Sequence, residues 1–528
     1  MTAAAPVASS LAPLREARFR LAWFAFLAAQ IVIWAQTVGA VDVITSESGS
    51  ASLVALIQTA ISVPGVVLSL FAGAVADVVD RRRLLVAATL AMTASMAVLT
   101  ALTVTDVVTP ALVLALTAAL GAGLAVFLPA FSAIVPDLVP RGLLAPAVAM
   151  TNVSVNVARA VGPAVAGVVI ALAGAGGLFG VLTGVLLVAV LLLGVYGPRG
   201  TAPARPERIG AAVRAGARYA RFSASLRIVI VRTALFVLFG SALWALLPVV
   251  AVQRLDLDAS AFGYLMACFG GGAVAGAVVL PRLQAALGYN GLTAVGSLVI
   301  AGVLAALSVV TSPLLAAAVL VVAGAAWLGV VTSVLTTAQM VAPAWVRGRA
   351  IAAWLLAFQL GFAIGGVVWG LVADASLRAA LLAPAVALVA TVVLGRVLAL
   401  PTGDTEPEPA GNWVDPEVVT DFDDDDGPVL VTIEYDVAGE HAEAFVAAMK
   451  ELSAIRRRDG ALRWELYEDV AQPGRFVETF SSATWGEHMR QHERTTEIDL
   501  PVEERPFAFA RSYTVRHLVG AVGRRRGA

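Results

Sequence analysis

The 528-residue sequence predicts an all-α membrane protein of twelve transmembrane helices, six plus six, followed by a small α+β domain. Three observations carry that fold class. The composition is 59% hydrophobic and 14% charged, against roughly 25% charged in soluble domains. Apolar runs of membrane length follow one another up to residue 400, separated by short polar turns. The charge is divided: residues 1–400 carry 22 Arg against 11 acids, residues 401–528 carry 14 basic residues against 26 acids, and the whole chain sums to −1. Opposite balances on the two sides of residue 400 imply two solvents and at least two domains.

A bilayer core is crossed by about 20 mostly apolar residues, and lipid forces them to be helical because it offers the backbone no hydrogen-bond partner. Twelve segments qualify: 21–43, 51–75, 84–104, 110–134, 145–172, 176–197, 227–252, 260–281, 291–311, 314–341, 349–373 and 378–400. Residues 1–20 precede the first; Arg15, Arg18 and Arg20 run straight into it without a signal-peptide cleavage pattern, so it reads as an uncleaved span. With the N-terminus inside, sixteen Arg fall in cytoplasmic connections and only Arg254 and Arg378 outside, as the positive-inside rule requires. Both termini are therefore expected in the cytoplasm, and the protein in the cell membrane. The connection 198–226 divides the spans into halves, 21–197 and 227–400. There Ile209, Val213 and Ala217 alternate with Arg208, Arg214, Arg218 and Arg221, the pattern of a basic amphipathic helix on the inner leaflet. The single cysteine, Cys268, excludes an intrachain disulfide.

Between the second and third spans lies Gly73-Ala-Val-Ala-Asp-Val-Val-Asp-Arg-Arg-Arg83, a dense charge cluster between two uncharged runs. Gly73, Asp77, Arg81 and Arg82 fill a G-x-x-x-D-x-x-x-R-R pattern. Arg there serves as a topology signal; Gly73 and Asp77 are not needed for that, which favours a conformational latch in which Asp77 pairs with Arg81 one turn on. The turn resembles the one between helices 2 and 3 of the major facilitator superfamily, and implies the facilitator fold and a transporter. Pro129-Ala-Phe-Ser-Ala-Ile-Val-Pro-Asp-Leu-Val-Pro-Arg141, then Asn152, Asn156, Arg159 and Gly162-Pro163, with Arg347-Gly-Arg349, resembles the branch that holds enterobactin-exporter-like proteins and transmembrane secretion effectors. That resemblance implies export of a small molecule. Two features depart from it. The second-half copy of the turn keeps only Gly276 and Arg282, with Leu280 at the Asp position; and Thr117 stands where drug–proton antiporters carry an Arg four residues before Gly121. The fifth-span signature of those antiporters survives in part, as Gly162, Pro163 and Gly167.

Ionisable groups at membrane depth are functional candidates unless they are paired or reach water. Arg232 lies about six residues into its span and is expected to reach the interface by snorkelling. Arg159 is too deep for that. Asn152 and Asn156 precede it at i−7 and i−3 on the same helical face, a stripe that lines a cavity or gate, or clamps two helices. Gln36, Gln339 and Gln359, with Gln30, are further cavity candidates. Asp42 is the one carboxylate inside a proposed span. It is interfacial or, if protons are coupled to transport, the group that carries them. No other cofactor is implied.

Residues 401–427 form an acidic linker ending in Asp423–Asp426. In 428–520, alternation at Val429–Val437 predicts a strand, 441–458 a helix, 463–468 and 475–482 strands, 485–495 a helix and 507–517 a strand. The order βαββαβ is ferredoxin-like and resembles dimeric α/β-barrel modules; residues 521–528 are a basic tail. One sheet face would be uncovered, and Trp464, Phe476, Phe480, Phe509 and Tyr513 would leave apolar surface there. This opens a homodimer through 428–520, or docking onto the basic 198–226 connection. All four histidines lie in this domain. His488 and His492 are one helical turn apart, yet no third ligand shows metal-site spacing, so no metal is expected. No phosphate-binding Gly-rich loop, nucleophile elbow or zinc signature is present, so no catalytic residues are assigned and neither ATP nor nucleic acid is expected as a partner.

The expected function is secondary active transport by alternating access, most simply export of a small, lipophilic or weakly polar molecule such as a siderophore, drug or secondary metabolite. The alternative is a membrane-tethered enzyme or sensor whose C-terminal domain binds or acts on a small aromatic molecule. The partners implied are the lipid bilayer and that substrate.

Overall fold

The computed structural model describes residues 12–48, 50–78, 80–140, 143–196, 209–257, 259–343, 345–401 and 422–520. The chain divides into two compact units. One comprises Met1–Pro206, Val231–Val334 and Leu355–Ala399; the other comprises Glu207–Ile230, Leu335–Trp354 and Leu400–Ala528.

The helices in chain order are α1 (Ala17–Ser48), α2 (Ala51–Val78), α3 (Arg81–Val104), α4 (Pro110–Leu138), α5 (Leu144–Tyr196), α6 (Ile209–Phe222), α7 (Ala224–Gln253), α8 (Ala259–Leu307), α9 (Pro313–Met340), α10 (Arg347–Ala375) and α11 (Leu377–Val397). Among the described residues, ten helices, all of these except α6, are long and apolar enough to cross a membrane. Helices α5 and α8 contain 53 and 49 residues, about 75–80 Å if straight against a hydrocarbon core of about 30 Å. Each is two passes. The break falls at Gly174 (φ 68°, ψ 179°) and at Gly288 (φ 63°, ψ 178°), a backbone region that a side chain cannot enter without strain. Twelve passes result, six before α6 and six after, within a few residues of the apolar runs.

The helix starts have local causes. Thr109 accepts from the Leu112 amide ahead of Pro110, Asp80 from the Arg83 amide and Ser376 from the Ala379 amide, each satisfying an amide that the first helical turn leaves unpaired. Helices α1 and α7 are the most enclosed, with 67% and 78% of their apolar stretches buried against 28–50% in the others. Leu172, Val278 and Val386 instead turn outward, apolar surface suited to lipid. The halves meet where α8 crosses α5. A Cβ on Gly263 would stand 2.4 Å from the Pro163 carbonyl oxygen, and one on Gly270 would stand 2.5 Å from Ala160 Cα, so only glycine permits that approach.

The second unit contains α6, the adjoining ends of α7, α9 and α10, and a C-terminal domain of β1 (Val429–Val437), α12 (Ala442–Asp459), β2 (Arg463–Glu468), β3 (Arg475–Ser482), α13 (Trp485–Arg494), α14 (Leu500–Phe509) and β4 (Ala510–Val519). The sheet is antiparallel in the order β2-β3-β1-β4. Val429, Val431, Ile433, Tyr435 and Val437 share one buried face, covered by Phe445, Met449 and Leu452 of α12. Each of these fully buried side chains contributes about 2 kcal/mol, and Phe445→Ala would cost about 3–5 kcal/mol.

Two expectations are corrected here. Residues 507–509 are not the start of a strand but the last turn of α14. This helix follows a short turn in which Thr496 and Asp499 form a reciprocal capping box, and Pro501 lies in its first turn. The second concerns the aromatics expected on the uncovered sheet face. The register pairs Val431 with Phe480 and Tyr435 with Phe476, and Trp464 with Phe480, which puts these aromatics on the helix-covered side. The other face mixes polar side chains, Thr432, Glu434 and Thr479 among them, with the exposed apolar Leu430, Tyr467 and Leu518. Phe476 and Phe480 are buried on the helix-covered side, whereas Tyr513 is more than half exposed.

Candidate functional site

Arg159 lies in the first limb of α5, beside the glycine crossing with α8. Its guanidinium carbon is 5.0 Å from the centre of the Trp34 ring on α1 and 5.7 Å from that of Trp244 on α7. The two indoles are 5.4 Å apart. Trp244 continues to Phe269 on α8 at 4.6 Å and Trp327 on α9 at 5.5 Å, and Trp327 to Phe362 on α10 at 5.8 Å. A cation from one half thus faces aromatic rings from both halves. Arg159 Nε and Trp244 Nε1 are buried without a hydrogen-bond partner among the described residues. Indole faces attract a cation at this separation but satisfy no N–H, so the site holds donors ready for an acceptor. Gly162 makes the arrangement possible: a Cβ there would stand 2.9 Å from Trp34 Cβ. Pro163 and Gly167 lie on the α8 side of the same limb, against Gly263.

The other predicted residues disperse. Gln36 is fully buried and donates from Nε2 to Thr117 Oγ1 at 2.8 Å, so the place of the antiporter Arg is taken by a hydroxyl that binds α1 to α4. Gln30 is buried on α1. Asp42 is half-buried near the end of α1, about 12 Å along the helix from Trp34. Gln359 covers Gly65 of α2, its Nε2 2.6 Å from where a Cβ would lie. It belongs to a seam between halves in which Thr59 Oγ1 donates to the Ala363 carbonyl at 2.9 Å and the Ser52 amide donates to Asp374 Oδ1 at 3.0 Å. Gln339 is exposed at the end of α9. Arg232 does not simply snorkel: it donates to Asn290 Oδ1 at 2.7 Å and to the Leu398 carbonyl at 3.4 Å, clamping α7, α8 and the end of α11.

Of the latch residues, Arg82 donates from Nε to the Leu193 carbonyl at 3.3 Å and from its other arm to the Gly194 carbonyl, tying the start of α3 to the last turn of α5. The side chains of Gly73, Asp77, Arg81, Asn152 and Asn156 lie outside the described residues.

The second unit holds two polar clusters. In the domain core, Glu478 is fully buried and accepts from Tyr435 Oη at 2.9 Å and Trp464 Nε1 at 2.8 Å, while Arg456 approaches Glu478 at 3.5 Å and Glu503 at 3.1 Å. Burial and the Glu478 charge hold the Tyr435 phenol well above its usual range. Beside it, His488 and His492 of α13 meet His517 of β4, with one ring nitrogen from each within 4.8 Å of the others. Burial, with the neighbouring histidines, pushes the His488 imidazole down to about 3. The third imidazole lacks metal-site spacing in the sequence, as expected, yet the fold brings it there: His517 comes from a strand 25 positions beyond His492.

Helix α13 also faces α6. Arg218 donates to Glu487 Oε1 at 3.1 Å, Arg494 lies 4.6 Å from the centre of the Trp345 ring, and Arg458 of α12 lies 5.8 Å from that of Tyr219. Tyr219 is buried and donates to the Val341 carbonyl at 3.0 Å; burial pushes its phenol up to about 12.

The aromatic site was the part that sequence reasoning missed. Trp34, Trp244 and Trp327 were not singled out from the sequence, and the signal available was an indole N–H donor placed in an apolar span.

Solved structures with the same fold include a POT family transporter in complex with a thioalcohol-conjugated peptide (13% identity, TM-score 0.60, covering 72% of this chain and 96% of that one). A bacterial homolog of the human lysosomal transporter Spinster in an inward-facing conformation (15%, 0.55, 73% and 96%) and the nucleoside transporter NupG (12%, 0.59, 72% and 99%) are also similar. No curated protein matches the sequence. Residues 8–525 match the transmembrane secretion effector family, almost the whole chain. With twelve passes in two halves and a facilitator-type fold, the chain belongs to the transmembrane secretion effector family and is a transporter of the major facilitator type.

Proposed function

We infer that this transporter exports a small, lipophilic or weakly polar molecule from the cytoplasm across the cell membrane by alternating access, and that the molecule binds at Arg159. The observation carrying this reading is the cation between Trp34 and Trp244, with buried donors that lack acceptors among the described residues. Flat apolar rings with one deep guanidinium suit a planar molecule bearing a carboxylate, phenolate or carbonyl oxygen. The seam Ser52–Asp374 and Thr59–Ala363 joins the halves on the side that the Arg distribution places outside. Its opening and closing would be the outer gate.

Untargeted comparison of culture medium from cells expressing the wild-type chain or Arg159→Ala tests the proposal. A metabolite released only with the wild type supports it; accumulation inside the cell with the wild type points to import and overturns it.

A second reading, a sensor acting through the C-terminal domain, is favoured by the contacts of that domain with α6 and the ends of α9 and α10. The two are compatible if the domain regulates transport. A transporter truncated after residue 401 that exports at the wild-type rate would exclude regulation.

A further inference from the structure

We propose that His488, His492 and His517 form a binding site for a divalent late-transition-metal ion, zinc or a close neighbour, held by three imidazoles with a fourth position open.

The placement follows from two independent elements. On α13, His488 and His492 are one turn apart and project from the same face. On β4, His517 pairs with Val431, which is 1% exposed on the helix-covered side of the sheet; His517 therefore points towards α13. Ring centroids are 4.6 Å apart for His488–His492 and 5.0 Å for His488–His517. Tetrahedral zinc with Zn–N of about 2.0–2.1 Å needs nitrogens about 3.4 Å apart, so the present spread of up to 4.8 Å closes by side-chain rotation.

His488 supplies the second argument. It is fully buried, and neither ring nitrogen has a hydrogen-bond partner among the described residues. A neutral imidazole carries one donor and one acceptor, and a buried residue of this kind is normally anchored by at least one of them. Its walls are Phe480 at 6.4 Å and Trp485 at 5.6 Å, which offer no acceptor. The nearby guanidinium of Arg456 is already paired with Glu478 and Glu503. A metal ion would satisfy a nitrogen that has no partner among the described residues. Neutral nitrogen donors without a carboxylate select zinc, copper, nickel or cobalt over magnesium and calcium.

The site also has leverage. Helix α13 carries Glu487, which pairs with Arg218 of α6, and Arg494, which faces Trp345. Pinning α13 to β4 would steady both contacts.

The test uses full-length protein purified without a polyhistidine tag, stripped with chelator and equilibrated with zinc or cobalt. About one ion per chain is expected, with the visible bands of four-coordinate cobalt and, by X-ray absorption at the zinc edge, the scattering of three imidazoles with one water oxygen completing the shell. His517→Ala and His492→Ala should each weaken binding at least tenfold, whereas His441→Ala, altering the exposed fourth histidine, should leave it unchanged. Far-ultraviolet circular dichroism checks that the variants fold, and the X-ray absorption result stands without them. Stoichiometry well below one ion per wild-type chain, equal binding by folded His517→Ala, or a shell of oxygen ligands would each overturn the site.

Discussion

Arg159 on α5 stands 5.0 Å from the ring centre of Trp34 on α1, a cation held against an aromatic face. Such a contact keeps the charge available, because the ring quadrupole attracts it without neutralising it. Arg232, in contrast, is consumed by Asn290 and the Leu398 carbonyl. The same residue type thus meets two settings, aromatic rings in one and oxygen acceptors in the other.

Arg159→Ala should therefore reduce transport more than Arg232→Ala at equal expression. Each lost ring contact is worth about 1–2 kcal/mol when desolvated, so Trp34→Ala or Trp244→Ala should weaken substrate affinity about tenfold. Arg159→Lys should recover part of the activity, since an ammonium keeps the charge but not the planar fork. Transport rates in vesicles at matched protein levels decide this; equal losses from the two alanine variants at Arg would refute the distinction.

At the helix 2–3 turn, Asp77→Asn and Gly73→Leu are expected to stop net transport while the protein remains inserted, because a latch acts on switching between conformations. Arg82→Ala should weaken the tie to the Leu193 and Gly194 carbonyls and lower thermal stability by about 1–2 kcal/mol. Wild-type transport by a well-expressed Asp77→Asn protein would remove the latch role.

The seam between α2 and α10 offers a mechanical test. Ser52 and Asp374 are in direct contact, so cysteines at both positions, in a background where Cys268 is serine, should form a disulfide under oxidation. If the seam opens in each cycle, oxidation should arrest transport and reductant should restore it. Full activity of the cross-linked protein would show that this contact stays closed.

In the C-terminal domain, Arg458 grips Asp499 with two hydrogen bonds, 2.8 and 2.7 Å. Burial raises the Asp499 carboxyl, but the Arg458 bonds and charge outweigh it and hold the group below its usual range. The sign follows: a depressed carboxylate stabilises the fold above its unfolded value and loses that contribution as pH falls through the folded one, below about 4. Neighbouring Asp459 is raised by burial and runs the other way. The difference between wild type and Asp499→Asn isolates the pair. It should be about 2 kcal/mol near neutral pH and shrink in acid, as measured by denaturant unfolding of the domain at a series of pH values; a pH-independent difference would contradict the assignment.

Much of this architecture was legible because spanning a membrane is a local demand. A run of about 20 apolar residues crosses lipid as a helix whatever surrounds it, and so twelve passes and their bounds could be read from hydropathy alone. Strand alternation at Val429–Val437 was equally local. Where two signals competed, at 500–509, Phe507 and Phe509 drew a strand over what the Thr496–Asp499 capping box had begun as a helix.

What lay beyond the sequence were the relations between distant segments. Nothing near Arg159 in the chain announces Trp34, 125 residues earlier, or Trp244, 85 residues later; only helix packing sets rings about that charge. The face on which Phe476 and Phe480 lie was decided by which side of the sheet α12 covers, since a strand shows both sides equally in its alternation. His517 joined His488 and His492 through the β1–β4 register, a hydrogen-bond pattern set by the whole sheet. Solvent preference and backbone hydrogen bonding are properties of a stretch of residues, and a sequence displays them. A site is a coincidence of stretches, and tertiary packing alone brings it about.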